Sequence, residues 1–305
     1  VVVVDDGSRD GSGDRAEAAG FPVLRRAESG GPAAARNLGA RAVSSDVLFF
    51  LDADVLPSPD AVERVREIFA SPDAPAAVFG SYDDSPDAPG LVSRYRNLLH
   101  HWTHQRGRRE ASTFWGACGA IRREEFLRRG GFDESYRRPS IEDIELGYRL
   151  RAAGRRIILD RDLRVTHLKR WRLGEMLRTD LVARAIPWTR LILRDRRLPD
   201  DLNTHRGGRL SVALACLAAA ALPPALLSPP LAAAAGGGLV ALVLLNLPFY
   251  RFLARRGGLP LALAGIPLHW LYFLTAGTGF ALGLLLHLRD RAREATGPGL
   301  PEARP

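Results

Sequence analysis

Two aspartates separated by one residue, Asp52-Ala53-Asp54, follow the apolar run Val47–Leu51. Carboxylates so spaced at the end of a strand can present oxygens to a hard divalent cation, which shares its coordination sphere with substrate phosphates. Chemistry-bearing residues follow two other apolar runs in the same way: Asp5-Asp6 after Val1–Val4, and His167 after Leu163–Thr166. A further acidic pair, Glu142-Asp143, opens an amphipathic stretch, where the helix dipole alone would favour it. Each acid has a structural reading as a helix cap, and their shared position at strand ends is what favours a ligand crevice.

The elements that must position these groups alternate. Short apolar runs at 1–5, 22–25, 46–51, 76–81, 156–159 and 163–166 read as strands, and amphipathic stretches at 12–19, 31–44, 58–70, 90–107, 122–129 and 141–153 read as helices. Such alternation implies an α/β fold with crossover connections, a mainly parallel sheet and flanking helices. Its length of 305 residues is ample for that unit over 1–170 and for further structure beyond it.

What lies beyond is different in kind. Residues 210–250 and 257–288 contain no Asp, Glu, Lys or Arg, a composition expected of membrane spans and not of a wholly soluble protein. Pro229-Pro230 divides the first run into spans near 210–228 and 231–250, and a third lies near 260–287. Two to four crossings are expected over 206–305, followed by a short basic tail. Arginines 206/209, 255/256 and 289/291/293 cannot all be cytoplasmic if every run crosses once; a hairpin in the third run, broken by Pro267 and several glycines, would reconcile them. Between the two parts, the 171–205 segment carries Leu173, Met176, Leu177, Leu181, Ile186, Trp188 and Leu191 among Arg172, Arg178, Arg184, Arg190 and Arg194, the pattern of an amphipathic helix at a membrane surface or packed on the first domain, with Pro187 expected to kink or divide it.

The net charge of +9 sits mainly beside these apolar runs, which makes lipid headgroups better partners than nucleic acid. Cys118 and Cys216 are the only cysteines, which excludes a disulfide framework and a cysteine-based zinc site. His100-His101-Trp102-Thr103-His104 lacks the glutamate of a zinc-protease helix and reads as polar contacts near a groove.

Taken together, Asp5-Asp6-Gly7-Ser8-Arg9-Asp10-Gly11-Ser12, Gly31-Pro32-Ala33-Ala34-Ala35-Arg36-Asn37-Leu38-Gly39, Asp52-Ala53-Asp54, Gly130-Gly131-Phe132-Asp133-Glu134 and Glu142-Asp143 resemble, in order, the motifs of the inverting family 2 glycosyltransferases with the GT-A fold. The resemblance covers residues 1 to about 170. It implies that Asp5, Asp6, Arg36 and Asp52 serve the nucleotide-sugar donor, commonly UDP-linked. Asp52, Asp54 and His167 would hold Mn2+ or Mg2+, and Asp143 beside Glu142 would be the catalytic base. The family places its acceptor floor near Trp115. His167-x-x-Arg170-Trp171 has the spacing of the Gln-x-x-Arg-Trp element of processive relatives, with His for Gln, which argues against processive polymer synthesis; Arg170 would still reach the diphosphate and Trp171 would stack on an acceptor sugar or anchor at the interface. The family's first strand and helix ordinarily precede Val1–Asp6, so this sequence is expected to lack that opening segment.

The expected protein is a membrane-anchored enzyme of a bacterial inner membrane, its catalytic domain in the cytoplasm, acting in cell-envelope polysaccharide synthesis on a lipid-linked or glycan acceptor. A polyprenyl-phosphate acceptor is the alternative reaction. The rivals from other classes are a catalytically weak membrane-tethered sugar-nucleotide-binding module and a nucleotidyltransferase, whose Gly-rich triphosphate loop is not visible.

Overall fold

The computed structural model describes residues 1–225 and 228–296. In chain order it runs β1 Val3–Asp5, α1 Ser12–Ala18, β2 Val23–Arg25, α2 Pro32–Ala42, β3 Val47–Leu51, β4 Val55–Pro57, α3 Ala61–Ala70, β5 Ala77–Tyr82, α4 Leu91–Arg106, β6 Cys118–Arg122, α5 Arg123–Arg128, α6 Glu142–Ala152 and β7 Ile157–His167. All six expected helices form. The α/β fold is as expected, but its strand directions are more mixed. The main sheet has the order β3-β6-β5-β7-β4, in which only β5 and β7 are parallel, while β1 and β2 pair as a separate parallel ribbon.

Two short strands absent from the sequence reading account for the difference. β6 runs antiparallel between β3 and β5, and β4 turns back from the Asp52–Asp54 loop to pair with the end of β7. β7 itself is continuous through Asp160 and Asp162, which point toward Arg64 of α3 and satisfy its guanidinium. β5 is buried along nearly its whole length, as a strand covered on both faces must be. Phe79, Phe114, Phe126, Phe132 and Leu146 form the core on one face of the sheet, and Val55, Ala61, Val65 and Val78 pack with α3 on the other.

The chain then continues as α7 Leu173–Arg178, a wider π-helical turn over Thr179–Ala185, and α8 Ile186–Asp195. Pro187 does not break this helix. It removes the donor that would have served the Ala183 carbonyl, and Ser140 Oγ donates to that carbonyl instead at 2.8 Å. The apolar face is taken up by protein: Trp188 and Leu191 pack with Ile141 and Tyr148, and Trp188 Nε1 donates to the Tyr148 hydroxyl at 3.1 Å.

α9 Arg206–Ala225 and α10 Pro229–Leu245 form a helical hairpin, with Pro229 and Pro230 in the first turn of α10. Asn246 Nδ2 donates to Ser211 Oγ at 3.0 Å, so the hairpin returns to the level at which it left. α11 Leu247–Thr296 is interrupted at Gly258, whose φ of 82° no bulkier residue readily adopts. The hairpin expected within 260–287 is not present: Pro267 and the later glycines are accommodated in one helix. Gly279 and Gly283 instead let α11 lie directly on Ala185 and Thr189. Arg256 pairs with Asp84 at 2.6 Å near one end of this element and Asp290 with Arg190 at 2.7 Å near the other. Tyr95, Leu98, Met176, Phe249, Leu253 and Leu261 form a common core between α4, α7 and α11. Among the described residues two helices, Arg206–Ala225 and Leu247–Glu294, are long and apolar enough to cross a membrane. The tail expected at the C-terminus lies beyond Thr296, outside the described residues, apart from Arg289, Arg291 and Arg293.

Candidate active site

Arg36, on the inner face of α2, ties the site together. Its Nη2 donates to Asp52 Oδ1 at 2.5 Å and its Nη1 to Glu142 Oε1 at 2.9 Å, while the guanidinium lies over the Phe132 ring at 5.4 Å. Burial alone would lower its pKa, but the two carboxylates outweigh that and raise it. The loop end of β3 and the start of α6 are thereby joined through one buried cation. Glu142 is itself buried, and its second oxygen accepts from Ser140 N at 2.9 Å. Both of its oxygens are committed, so Glu142 positions its neighbours.

Asp143 is differently placed. Its Oδ2 accepts from Gly116 N at 3.0 Å and its Oδ1 from Ile144 N at 2.8 Å. Burial, then the neighbouring Glu142 charge, push its carboxyl up to about 6. It is therefore a carboxylate at neutral pH with an affinity for protons well above that of an ordinary aspartate, which suits a general base.

Asp54 and His167 meet because β4 pairs with β7: Val55 stands opposite His167, and Leu168 N donates to Asp54 O at 2.9 Å. This sets His167 Nε2 3.5 Å from Asp54 Oδ2. The hydrogen bond from His167, with its charge and that of Lys169, holds the Asp54 carboxyl below the usual range despite its partial burial. His167 Nδ1 donates to Asn97 Oδ1 at 2.8 Å, which fixes the ring with Nε2 facing Asp54. The donor set fits a divalent cation that takes few protein ligands and completes its shell from a diphosphate. Arg36 takes Oδ1 of Asp52, and among the described residues Asp52, Asp54 and His167 do not form a cluster of three such ligands.

The first acidic motif is largely turned inward. Asp6 accepts from Ser29 Oγ, Gly30 N and Gly31 N and pairs with Arg26 Nε, all within 3.0 Å, so its oxygens are spent on bracing the loop before α2. Any service of Asp6 to a donor is through that loop. Asp5 accepts from Ser8 N at 2.8 Å, and Ser8 lowers its pKa.

Aromatic rings line the other side. Tyr82, at the end of β5, stacks on His167 with centroids 4.5 Å apart and touches His100 at 4.3 Å and Trp115 at 5.0 Å. Trp171 stacks beneath Lys169 Nζ at 4.1 Å, and its indole Nε1 is buried without a partner; Arg170 is exposed. His101 and His104 face the Tyr82 and Gly80 carbonyls at 2.8 and 2.9 Å and serve as anchors of α4 on β5. Sequence reasoning missed Asn97 and Tyr82. Neither belongs to a motif, and only an i, i+3, i+4 reading of α4 beside its histidines would place Asn97 on the same face.

Residues 1–132 match the family model described as "Glycosyl transferase family 2". The chain is 34% identical over 191 residues to the pre-mycofactocin glycosyltransferase of Mycobacterium tuberculosis, a match spanning 58% of this chain and 39% of that protein. It is 32% identical over 149 residues to the validoxylamine A glucosyltransferase of Streptomyces hygroscopicus subsp. jinggangensis, over 40% of this chain and 35% of the other. The matched region is thus well under half the length of these curated relatives. A mannosyltransferase from Pyrobaculum calidifontis, solved with GDP-Man and Mn2+, superposes with a TM-score of 0.53 at 21% identity, covering 95% of this chain and 78% of that one. The sequence match and the shared fold agree: residues 1–132 match the family 2 glycosyltransferases, and the chain has the GT-A fold.

Proposed function

We propose that the protein is a membrane-anchored, metal-dependent inverting glycosyltransferase that moves a sugar from a nucleotide-diphospho-sugar to a hydroxyl of a lipid-linked or cell-envelope acceptor. The observation that carries this reading is the single cation Arg36 holding Asp52 and Glu142 together, so that the donor side and the Asp143 carboxylate face one space. The named activities of the relatives, and the GDP-Man and Mn2+ held by the structural neighbour, support the donor class and the cofactor.

In this mechanism the donor diphosphate lies against Asp54 and His167. A bound Mn2+ or Mg2+ supplies charge stabilisation to the leaving diphosphate. Asp143 takes the proton of the acceptor hydroxyl while that oxygen attacks the anomeric carbon from the side opposite the diphosphate; the glycosidic C–O bond breaks and its electron pair leaves with the nucleotide, which inverts the centre. Arg36 holds Glu142 in place, and the Glu142 charge in turn raises the proton affinity of Asp143. Trp115 and Trp171 flank the space available to an acceptor, and Arg170 is free to meet phosphate. The apolar helices and the arginine-rich segments beside them support a reading in which the domain faces the cytoplasm at a bacterial inner membrane.

The test is donor turnover by the full chain in detergent with Mn2+ or Mg2+, across UDP- and GDP-sugars, compared with Asp143→Asn and Asp54→Ala. Metal-dependent turnover lost in both variants supports the proposal. Turnover that persists in both, or without metal, would overturn it.

A further inference from the structure

β3 and β5 both run antiparallel to β6, and β5 runs parallel to β7, so all three end on one rim of the sheet. Asp52 follows the first, His167 ends the third, and Tyr82 ends the second. Tyr82 pairs with Val165, two residues before His167, and the two-residue period of a strand turns these side chains to one face. Its ring is held from three directions. It lies parallel to the His167 imidazole, with centroids 4.5 Å apart and planes 10° apart, packs on His100 at 4.3 Å and meets Trp115 edge to face at 5.0 Å. His100 is backed in turn by His104, with ring centroids 4.1 Å apart, so the histidine cluster of α4 buttresses the tyrosine.

The hydroxyl is the part left unused. It makes no hydrogen bond among the described residues, and the side chain is only partly buried. A phenol is un-ionised at neutral pH and can donate. Three other donors bordering the site are committed: Arg36 to Asp52 and Glu142, Lys169 to Glu175 at 2.9 Å, and His167 Nδ1 to Asn97. Burial raises the pKa of the phenol, the Arg184 charge opposes it, and the Asp54 and Asp52 charges add to it, so both aspartates lie near its oxygen. A hydroxyl held beside Asp54 and His167 faces the phosphate that those residues serve.

We infer that Tyr82 is a further catalytic residue: its hydroxyl donates a hydrogen bond to the donor's diphosphate as the glycosidic C–O bond breaks. The electron pair of that bond goes to the departing oxygen, and the phenolic proton stays on Tyr82. The hydrogen bond strengthens as charge grows on the leaving group, and a ring already clamped needs no reorganisation, so the transition state gains more than the bound donor does. This rests on the glycosyltransferase reading proposed above and deepens it, adding a neutral protein donor to the stabilisation of the leaving group.

The test is Tyr82→Phe, which keeps the ring on His167 and removes only the hydroxyl. Donor turnover by the full chain in detergent with Mn2+, on UDP-glucose and GDP-mannose, is expected to lose about 100-fold in kcat, the cost of one such donor. The donor KM should stay within about 3-fold, because the hydrogen bond is weak before charge develops. The Mn2+ concentration for half-maximal turnover should not move, whereas Tyr82→Ala, which also uncovers the imidazole, should raise it about 10-fold. Equilibrium binding with Mn2+ reads the same contact without turnover: Tyr82→Phe should weaken UDP or GDP, whichever the chain binds, about 10-fold, and the matching sugar nucleotide far less, because only the free diphosphate carries the full leaving-group charge. A kcat for Tyr82→Phe equal to that of the original chain, or an equal loss of binding for diphosphate and sugar nucleotide, would overturn the inference and leave the proposed function standing. An original chain that neither binds nor turns over any of these nucleotides would overturn both.

Discussion

His167 donates through Nδ1 to Oδ1 of Asn97, 2.8 Å away, and so turns its Nε2 toward Asp54. An amide in the middle of α4 thereby fixes the ring orientation of a residue on β7. Asn97→Ala should raise the Mn2+ concentration needed for half-maximal turnover by about 10- to 100-fold, the usual cost of losing such an outer partner. Turnover at saturating Mn2+ should fall much less. A metal titration of activity checks this, and an equal fall at every Mn2+ concentration would contradict it.

The Arg36 bridge gives a second expectation. Arg36→Ala leaves Glu142 buried without its cation, which typically costs about 3–5 kcal/mol. Arg36→Lys keeps a charge, but a single ammonium does not reproduce the fork that reaches both carboxylates. The lysine variant should therefore recover thermal stability in part while kcat/KM stays about 100-fold down, since small displacements of catalytic groups are costly. Melting curves and kinetics on the same samples test the split.

Asp143 sets a pH limb. Its carboxyl is pushed up to about 6, and a base works only when ionised, so turnover should rise with pH through about 6 and level off above it. Below that value the rate should fall about 10-fold per pH unit, as the deprotonated fraction does. The profile is measured as kcat/KM against pH at fixed Mn2+. A limb at the ordinary aspartate value would show that Asp143 is not the group that titrates.

Arg96 and Asp180 form a bidentate pair, almost wholly buried, between α4 and the π turn. Asp180→Ala should destabilise the chain by about 3–5 kcal/mol, whereas Arg96→Met with Asp180→Leu should recover much of that loss, because a buried pair replaced by apolar groups is often neutral. Thermal unfolding in detergent of the single and double variants measures the difference.

Much of this was legible from residue types. Amphipathic spacing and apolar runs located α1 to α6 within a few residues, and the acids after strands marked the crevice. What was not legible is instructive. β4 is three residues ending in Pro57, and β6 begins in the Gly116–Gly119 segment, whose small residues read as a turn. Their pairing is a tertiary choice, made because Val55 and Cys118 fill the sheet core. Yet it is β4 that brings Asp54 opposite His167. Asp52 reads as a metal ligand by spacing, and only the approach of α2 reveals that Arg36 claims it. The C-terminal helices were legible as apolar, but their path was not, because Pro267 and three glycines allow a bend without requiring one.

That path has a mechanical meaning. α11 is fastened near one end to the α/β domain, by Arg256 to Asp84, and near the other to α8, by Asp290 to Arg190, and the glycine contacts with Ala185 and Thr189 seal it to the π turn and α8. A tether would let the enzyme sweep and search; a keel bolted along its length does not. On the membrane-anchored reading proposed above, the distance from bilayer to reacting carbon is a fixed dimension of the molecule, a gauge that admits acceptors by how far their hydroxyl stands from the lipid, whatever sugar bears it.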